Sequence, residues 1–144
     1  EAGVDALSFG CVKNGGMGAE ALVLFDPALA DELRYRRKQA GHLQSKGRFL
    51  AAQVLAMVEH GLWLDNARAA NAAAQEIGAA AGGRLLHPVE SNQVFFACTP
   101  AERQSLRVQG FGFYDWGNDA ARVVTAWDSR GDHVAALAKG ISQL

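Results

Sequence analysis

Cysteine is scarce in this chain, and long hydrophobic runs are missing altogether. Only Cys11 and Cys98 occur among the 144 residues, and two distant cysteines do not make a disulfide framework. Such scarcity is typical of proteins in a reducing compartment, so we expect a cytoplasmic protein. No apolar run approaches the roughly 18 residues that a membrane-spanning helix requires. The sequence therefore predicts neither a disulfide-stapled domain nor a membrane partner.

A surplus of charge is missing too. The formal net charge is −1, which gives no overall basic field to attract nucleic acid, and no nucleic-acid partner is expected. The four histidines lack metal-ligand spacing and no Gly-x-Ser-x-Gly nucleophile motif occurs, so neither a metal site nor a hydrolytic triad is predicted. What remains is a composition typical of globular proteins, 49% hydrophobic and 20% charged, in a chain long enough to bury a core.

The first sixty residues are patterned like the end of a sheet rather than the start of a domain. Alternating apolar residues from Val4 predict a short strand, and the apolar run 21–25 predicts a second, buried one. Between them lies a loop with four glycines in nine residues. A helix should start at Asp26 or Pro27 and turn its apolar side chains (Leu29, Leu33 and Tyr35) inward, and 49–58 should be a buried helix. We assign residues 1–60 to the C-terminal end of a larger domain.

Residues 61–144 have a different pattern, with short strands and helices in alternation. A helix ending near Ala80 should precede strands at 84–86, 94–98, 111–114 and 122–127. Thr99 should cap a helix at 100–108, and a final helix should begin at Asp132. This order predicts a small α+β domain in which helices cover one side of an antiparallel sheet, and an α/β class for the chain as a whole.

Lys13 is the most notable candidate for chemistry. It lies on the glycine-rich loop between the two predicted strands, where neighbouring backbone allows a flat molecule to approach closely. Partial burial there would lower the pKa of its ammonium group and free the amine to attack an aldehyde. An ordinary solvated lysine is the alternative interpretation.

Two other sets of cations could bind anions. The segment 34–48 carries Arg34, Arg36, Arg37, Lys38, Lys46 and Arg48 with little compensating acid, which suits a phosphate, although a solvated helix face is the alternative. Arg122 opens a largely apolar strand, where a substrate carboxylate could be its partner. A structural aspartate would serve Arg122 equally well.

Several segments resemble the threonine aldolases, which belong to the aspartate-aminotransferase-like enzymes that use pyridoxal 5′-phosphate (PLP). The segment Ser-Phe-Gly-Cys-Val-Lys-Asn-Gly-Gly at 8–16 resembles the family's cofactor-lysine segment. The others follow in the same order along the chain, at 19–25, 36–46, 87–95 and 122–125. The resemblance is strongest to the low-specificity threonine or phenylserine aldolases.

This resemblance implies a fold, a cofactor and a set of site residues. The chain would be the C-terminal part of a PLP-dependent transferase-like fold, with the last strands of the large-domain sheet followed by the small domain. Lys13 would carry PLP, Arg37, Lys38 or Lys46 would contact its phosphate, and Arg122 would bind the substrate carboxylate. Val12 replaces the hydroxyl residue that many relatives have before the lysine, which puts one cofactor contact in doubt.

The family's remaining cofactor contacts have no counterpart in these 144 residues, so we expect a missing N-terminal portion of the same protein. The chain alone should then have little or no activity, and the complete enzyme should be a homo-oligomer, a dimer or tetramer. It would cleave a β-hydroxy-α-amino acid to glycine and an aldehyde. Another PLP-dependent lyase or an aminotransferase is the alternative activity, and a fragment that acts only as an interaction domain is the alternative without catalysis.

Overall fold

The computed structural model describes residues 3–144, which divide into two compact units, one ending at Trp63 and the other formed by Leu64–Leu144. The first contains strands β1 (Ala6–Gly10) and β2 (Glu20–Leu24) and helices α1 (Ala30–Gln39) and α2 (Arg48–Glu59). Helix α3 (Leu62–Ala81) follows, and then β3 (Gln93–Ala97), α4 (Pro100–Val108), β4 (Tyr114–Asp115), β5 (Ala120–Val124) and α5 (Gly131–Ser142). No helix within residues 3–144 has the length and apolar character needed to cross a membrane.

The two predicted N-terminal strands pair as an antiparallel hairpin. Their register runs from Ala6 opposite Leu24 to Gly10 opposite Glu20, so the glycine-rich loop joins the two strand ends. The burial predicted for the second strand is wrong, because Leu22 and Val23 are exposed in this chain. A two-stranded hairpin has too few neighbours to cover both of its faces, and helix α2 is the main element packed on β2.

The helices of the first unit also leave apolar side chains in solvent. Asp26 accepts a hydrogen bond from the Ala28 backbone N–H (2.9 Å) and caps a short 3₁₀ turn that leads into α1. The predicted inward face of this helix is wrong, since Tyr35 is 74% exposed. The predicted burial of the next helix is wrong as well, because Met57 is the only buried residue of α2. Both helices offer apolar surface that residues 3–63 do not cover.

The second unit has a closed core, built by helices on one side of a three-stranded antiparallel sheet. The sheet order is β3-β5-β4. Because side chains alternate along a strand, Val94 and Phe96 of β3 and Val123 of β5 point into the core. They pack against α3, α4 and α5 through Ile77, Leu106 and Ile141, among others. This arrangement confirms the predicted small α+β layer.

The bounds of three strands differ from the predicted ones. Instead of a strand at 84–86 there is a 3₁₀ turn at Gly82–Arg84, after which only Leu85 pairs with Phe96. The strand predicted at 111–114 is reduced to Tyr114–Asp115, and the strand predicted at 122–127 is Ala120–Val124. Directly after β5, the Thr125 hydroxyl donates a 2.6 Å hydrogen bond to the Ala70 carbonyl of α3, and the Thr125 backbone N–H donates to the Asn92 carbonyl at 3.0 Å.

The predicted cap of α4 is confirmed and extended by a second contact. Thr99 and Glu102 exchange hydrogen bonds in a capping box, which satisfies two otherwise unpaired backbone N–H groups. Glu102 also accepts a 2.9 Å hydrogen bond from Arg84. The hydrogen bond from the Thr99 backbone is the largest of the effects that lower the pKa of Glu102, so this carboxylate stays ionised.

Arg103 of α4 is a buried cation that sequence patterns did not reveal. Only 6% of it is exposed, and its guanidinium donates to the carbonyls of Gly117 (3.2 Å), Asn118 (2.7 Å) and Ala120 (2.6 Å). Its Nε lies 3.4 Å from a carboxylate oxygen of Asp115. These contacts fix the turn between β4 and β5, and with it the position at which β5 begins.

We predict that Arg103→Met lowers the free energy of unfolding by about 3 kcal/mol, because the substitution leaves three carbonyls without a charged donor in a buried place. Arg68→Met is the matched control. Arg68 forms an exposed ion pair with Asp65, so the control should change stability by less than about 0.5 kcal/mol. Urea unfolding of both variants measures the difference. Equal stability of the two variants would show that Arg103 does not support the turn.

Candidate functional site

The candidate residues lie in two groups. Lys13, Arg37, Lys38 and Lys46 belong to the first unit, and Arg122 belongs to the second. Within the first unit, the turn that carries Lys13 is distinct from the basic segment on α1 and the loop after it. The side chain of Lys13 forms no ion pair or hydrogen bond with any other residue in the range 3–144.

The loop after β1 is a tightly wound turn that presents Lys13. Cys11 begins it, and its carbonyl accepts hydrogen bonds from the N–H groups of Asn14 (3.1 Å) and Gly16 (2.8 Å). Lys13 lies in the middle of the resulting 3₁₀ turn. Gly15 ends the turn at φ 106°, a conformation that favours glycine. A Cβ on Gly16 would lie 3.0 Å from both the Cβ and the carbonyl oxygen of Cys11, so this position also requires glycine.

Lys13 itself is exposed. The partial burial predicted for it is therefore wrong for this chain, because the turn projects from the end of a hairpin and residues 3–63 do not enclose it. Cys11, two residues earlier, is 1% exposed. Burial, reinforced by the carboxylate of Glu20, raises the pKa of the Cys11 thiol, which keeps it neutral. Cys11 thus anchors the turn by packing in the interior, and Lys13 presents an amine that is accessible to solvent.

The basic segment separates into paired and unpaired cations. Arg34 and Arg36 form ion pairs with Asp31 and Glu32 on the exposed surface of α1. These two arginines therefore match the alternative interpretation, a solvated helix face. Within residues 3–144, no carboxylate pairs with Arg37, Lys38 or Lys46, the three cations for which the resemblance implies a phosphate contact.

The unpaired cations lie where helix α1 closes onto its loop. The His42 N–H donates to the Arg37 carbonyl (3.0 Å), and Arg37 Nε donates to the His42 carbonyl at 3.3 Å. Farther along the loop, Lys46 adopts φ 59°, the one positive φ of a non-glycine residue in the described part of the chain. A left-handed conformation costs a lysine roughly 1–2 kcal/mol. Backbone strain of this kind is found preferentially at functional sites.

Arg122 occupies the middle of the outer face of the second unit's sheet. Its strand is central, and its register partners are Phe95 on one side and Tyr114 on the other. The guanidinium carbon lies 5.9 Å from the Phe95 ring centroid and 5.5 Å from that of Tyr114. Arg122 Nε donates a 2.9 Å hydrogen bond to the side-chain oxygen of Gln93.

This setting holds Arg122 without neutralising it. The residue is half-buried, and no carboxylate in the described part of the chain lies within ion-pair distance. The structural aspartate considered as the alternative partner is therefore absent from residues 3–144. Gln93 accepts a hydrogen bond from Nε of Arg122 only. Both terminal nitrogens of the Arg122 guanidinium are therefore left for a planar anion such as a carboxylate. Gln93 was not predicted as part of the site, although its place two residues before Phe95 puts it on the same face of β3.

The aromatic surface around Arg122 continues beyond its two partners. Trp116 packs edge-on against Phe95, with ring centroids 5.0 Å apart, and His87 does the same at 5.8 Å. Trp116 and Tyr114 are exposed. The outer face of the sheet is thus an aromatic surface with Arg122 at its centre.

Comparison with known proteins confirms the resemblance predicted from the sequence. The chain is 40% identical over 146 residues to the low-specificity L-threonine aldolase of Pseudomonas sp. (strain NCIMB 10558), and equally to that of Pseudomonas aeruginosa. Each match covers 98% of this chain and 42% of the relative. The chain therefore spans less than half the length of the curated relatives it matches. No protein-family model matches it.

A solved structure agrees. The structure of Leishmania major threonine aldolase superposes with a TM-score of 0.87 and 26% identity, over 97% of this chain and 43% of that one. The predicted fold, the C-terminal part of a PLP-dependent transferase-like structure with mixed helices and antiparallel sheets, is thereby confirmed. The collinear match includes both the Lys13 turn and the strand of Arg122.

We predict that Lys46→Gly raises the free energy of unfolding by about 0.5–1 kcal/mol, whereas Lys46→Ala does not. Both substitutions remove the same cation, but only glycine relieves the left-handed backbone strain, less the entropy that glycine adds to the unfolded chain. Thermal or urea unfolding of the two variants beside the parent protein measures the difference. A glycine variant no more stable than the alanine variant would show that the backbone at Lys46 is not strained.

Proposed function

We propose that this chain is the C-terminal part of a PLP-dependent aldolase that cleaves β-hydroxy-α-amino acids such as threonine or phenylserine to glycine and an aldehyde. The observation that carries the proposal is the collinear 40% identity to low-specificity L-threonine aldolases over 98% of the chain. Because the chain spans 42% of those relatives, the activity belongs to the complete protein. The 144 residues alone should have little or none, since catalytic groups that act as a unit fail together.

The side chains in the first unit fit PLP. The cofactor presents an aldehyde and a phosphate, and this unit offers an exposed amine on Lys13 together with cations that no described carboxylate neutralises. Lys13 would hold the aldehyde carbon covalently through Nζ. Arg37, Lys38 or Lys46 would bind the phosphate by charge-assisted hydrogen bonds. When bound, PLP supplies the electron sink for the broken Cα–Cβ bond.

Arg122 would position the substrate. Its two terminal nitrogens can hold the α-carboxylate through parallel hydrogen bonds, a geometry that fixes direction as well as distance. With the carboxylate held, rotation about the substrate's Cα is restricted and the bond to be broken is presented in one orientation. Gln93 and the Phe95 and Tyr114 rings would hold the guanidinium ready for this contact, so little reorganisation accompanies binding.

The proposal also includes a homo-oligomeric assembly and a cytoplasmic location. Helix α2 exposes Phe49, Leu55 and Val58, and apolar surface of this kind marks an interface. A homo-oligomer, as a dimer or tetramer, would cover it. Both cysteines are free and buried, which suits the reducing conditions of the cytoplasm. Another PLP-dependent lyase or an aminotransferase would use the same lysine and arginine, so assays of product distinguish the activities.

We predict that borohydride reduction of the PLP-loaded intact protein labels Lys13. Its amine is the exposed one on a turn whose glycines allow a flat ring to approach, and reduction makes a covalent attachment permanent. Peptide mapping by mass spectrometry locates the label, and Lys38, Lys46 and Lys139 are the internal controls in the same digest. A label on any of those three lysines would remove Lys13 from the proposed role.

We predict that Arg122→Lys lowers kcat/KM for phenylserine cleavage by about tenfold to a hundredfold while PLP remains bound. Lysine keeps the charge and loses the two-pronged geometry, which is worth about 1.5–3 kcal/mol. Arg130→Lys is the control, because Arg130 makes an exposed ion pair with Asp132 in the same unit. kcat/KM and melting temperature should be measured on the same preparations. A lowered melting temperature with unchanged kinetics would assign Arg122 to structure alone.

A further inference from the structure

We propose that Gln53 is a positioning residue that holds the turn bearing Lys13 in the conformation needed to receive the cofactor. The inference rests on the proposed function and adds a residue to it. Gln53 lies on α2, far from Lys13 in sequence, and outside the short segments on which the resemblance was first identified. Its role follows from the contacts that its side chain makes.

One oxygen atom of Gln53 holds two consecutive backbone groups of the loop. Its Oε1 accepts hydrogen bonds from the N–H of Met17 at 2.9 Å and from the N–H of Gly18 at 3.1 Å. On the other side of the amide, Nε2 donates to the Phe49 carbonyl at 3.3 Å, one turn earlier in the same helix. Donors face one end of the amide and an acceptor faces the other, so its orientation is determined.

Besides the backbone hydrogen bonds from Asn14 and Gly16 to the Cys11 carbonyl, two further contacts hold the loop. The Val12 N–H donates to Glu20 at 3.4 Å, and the Asn14 side chain donates to the Trp63 carbonyl at 2.9 Å. These two fix the half of the loop before Gly15. Gln53 fixes the other half, where Met17 is 91% exposed and contributes little packing to hold the backbone.

Composition explains why this half needs an external anchor. Gly15, Gly16 and Gly18 surround Met17, and glycine loses more conformational freedom on ordering than any other residue. Without an acceptor, the Met17 and Gly18 N–H groups would turn to water and the loop would sample other conformations. The turn that carries Lys13 ends at Gly15 and Gly16, directly before Met17, so freeing the backbone at 17–18 would loosen the end of the turn that presents Nζ.

A purely structural role predicts something different. If Gln53 only stabilised the first unit, its loss would lower the melting temperature and leave cofactor attachment to the folded protein unchanged. If Gln53 positions the turn, its loss should free the backbone at 17–18 and weaken retention of the cofactor in protein that is still folded. The two roles are therefore separated by measurements that do not depend on catalytic activity.

The experiment compares Gln53→Leu, which removes the acceptor at similar size, with Gln53→Glu, which keeps an oxygen acceptor. Gln39→Leu is the matched control, because Gln39 is an exposed glutamine of α1 that makes no side-chain hydrogen bond within residues 3–144. Hydrogen exchange of the intact apo protein, read in peptides that cover residues 15–19, reports on the turn. Visible absorbance of the PLP-loaded protein, and the rate at which PLP is lost after dilution, report on attachment.

We expect Gln53→Leu to speed exchange at Met17 and Gly18 and to speed PLP loss, each by about tenfold, the effect of roughly one net hydrogen bond. Gln53→Glu and Gln39→Leu should stay within about twofold of the parent. Unchanged exchange in Gln53→Leu would overturn the anchor, and faster exchange with unchanged PLP loss would overturn the positioning role. Failure of the proposed function looks different: the parent protein would bind no PLP, or would carry it on another lysine.

Discussion

A single buried guanidinium sets the geometry of the second unit. Arg103 binds three carbonyls of the turn between β4 and β5, and it is oriented by Asp115 at the end of β4. The start of β5 is thereby fixed relative to α4, and pairing with β3 and β4 fixes the rest of that strand. Arg122 is the third residue of β5. The position of Arg122, on the outer face of the sheet, therefore depends on the buried Arg103.

The two units solve the problem of stability in different ways. The second encloses a core in which the inward residues of a sheet meet three helices, and every buried side-chain nitrogen or oxygen in its residues has a hydrogen-bond partner. The first relies on backbone hydrogen bonds and side-chain anchors, while Phe49, Leu55 and Val58 of α2 remain exposed. Apolar surface that costs free energy in water is expected where another surface covers it. The turn that carries Lys13 belongs to the first unit, in which few contacts hold each segment.

The sequence predicted the second unit well because its signals are local. Thr99 and Glu102 form a capping box three residues apart, and alternation at Val94 and Phe96 is visible without any knowledge of their neighbours. The roles proposed for Lys13 and Arg122 rest on resemblance, since a loop lysine and a strand arginine are each chemically ambiguous. Burial in the first unit was misjudged because hydrophobic residues show which surface prefers to be covered, and not whether a given chain covers it.

The supporting residues were beyond prediction for a physical reason. Gln53, Gln93 and Arg103 act through contacts to residues 35–36, 29 and 14–17 positions away, respectively. Neither glutamine nor arginine has a sequence pattern that reveals a distant partner. The Thr125 hydroxyl makes a further contact of this kind, since it donates to the Ala70 carbonyl of α3, 55 positions earlier in the chain. Long-range hydrogen bonds of single side chains decide details that periodicity leaves open.

Side chains of β5 alternate between the two faces of the sheet, so the length of the turn before β5 matters for any change to the sequence. Side chains exchange faces with every residue along a strand. Removing or adding one residue between Asp115 and Ala120 would, if pairing adjusted by one step, carry Arg122 into the core and turn Val123 outward. The length of the turn held by Arg103 therefore determines which face of the sheet each side chain of β5 occupies. Grafts, deletions and chimeras made in this region must conserve its length even where they change every residue in it.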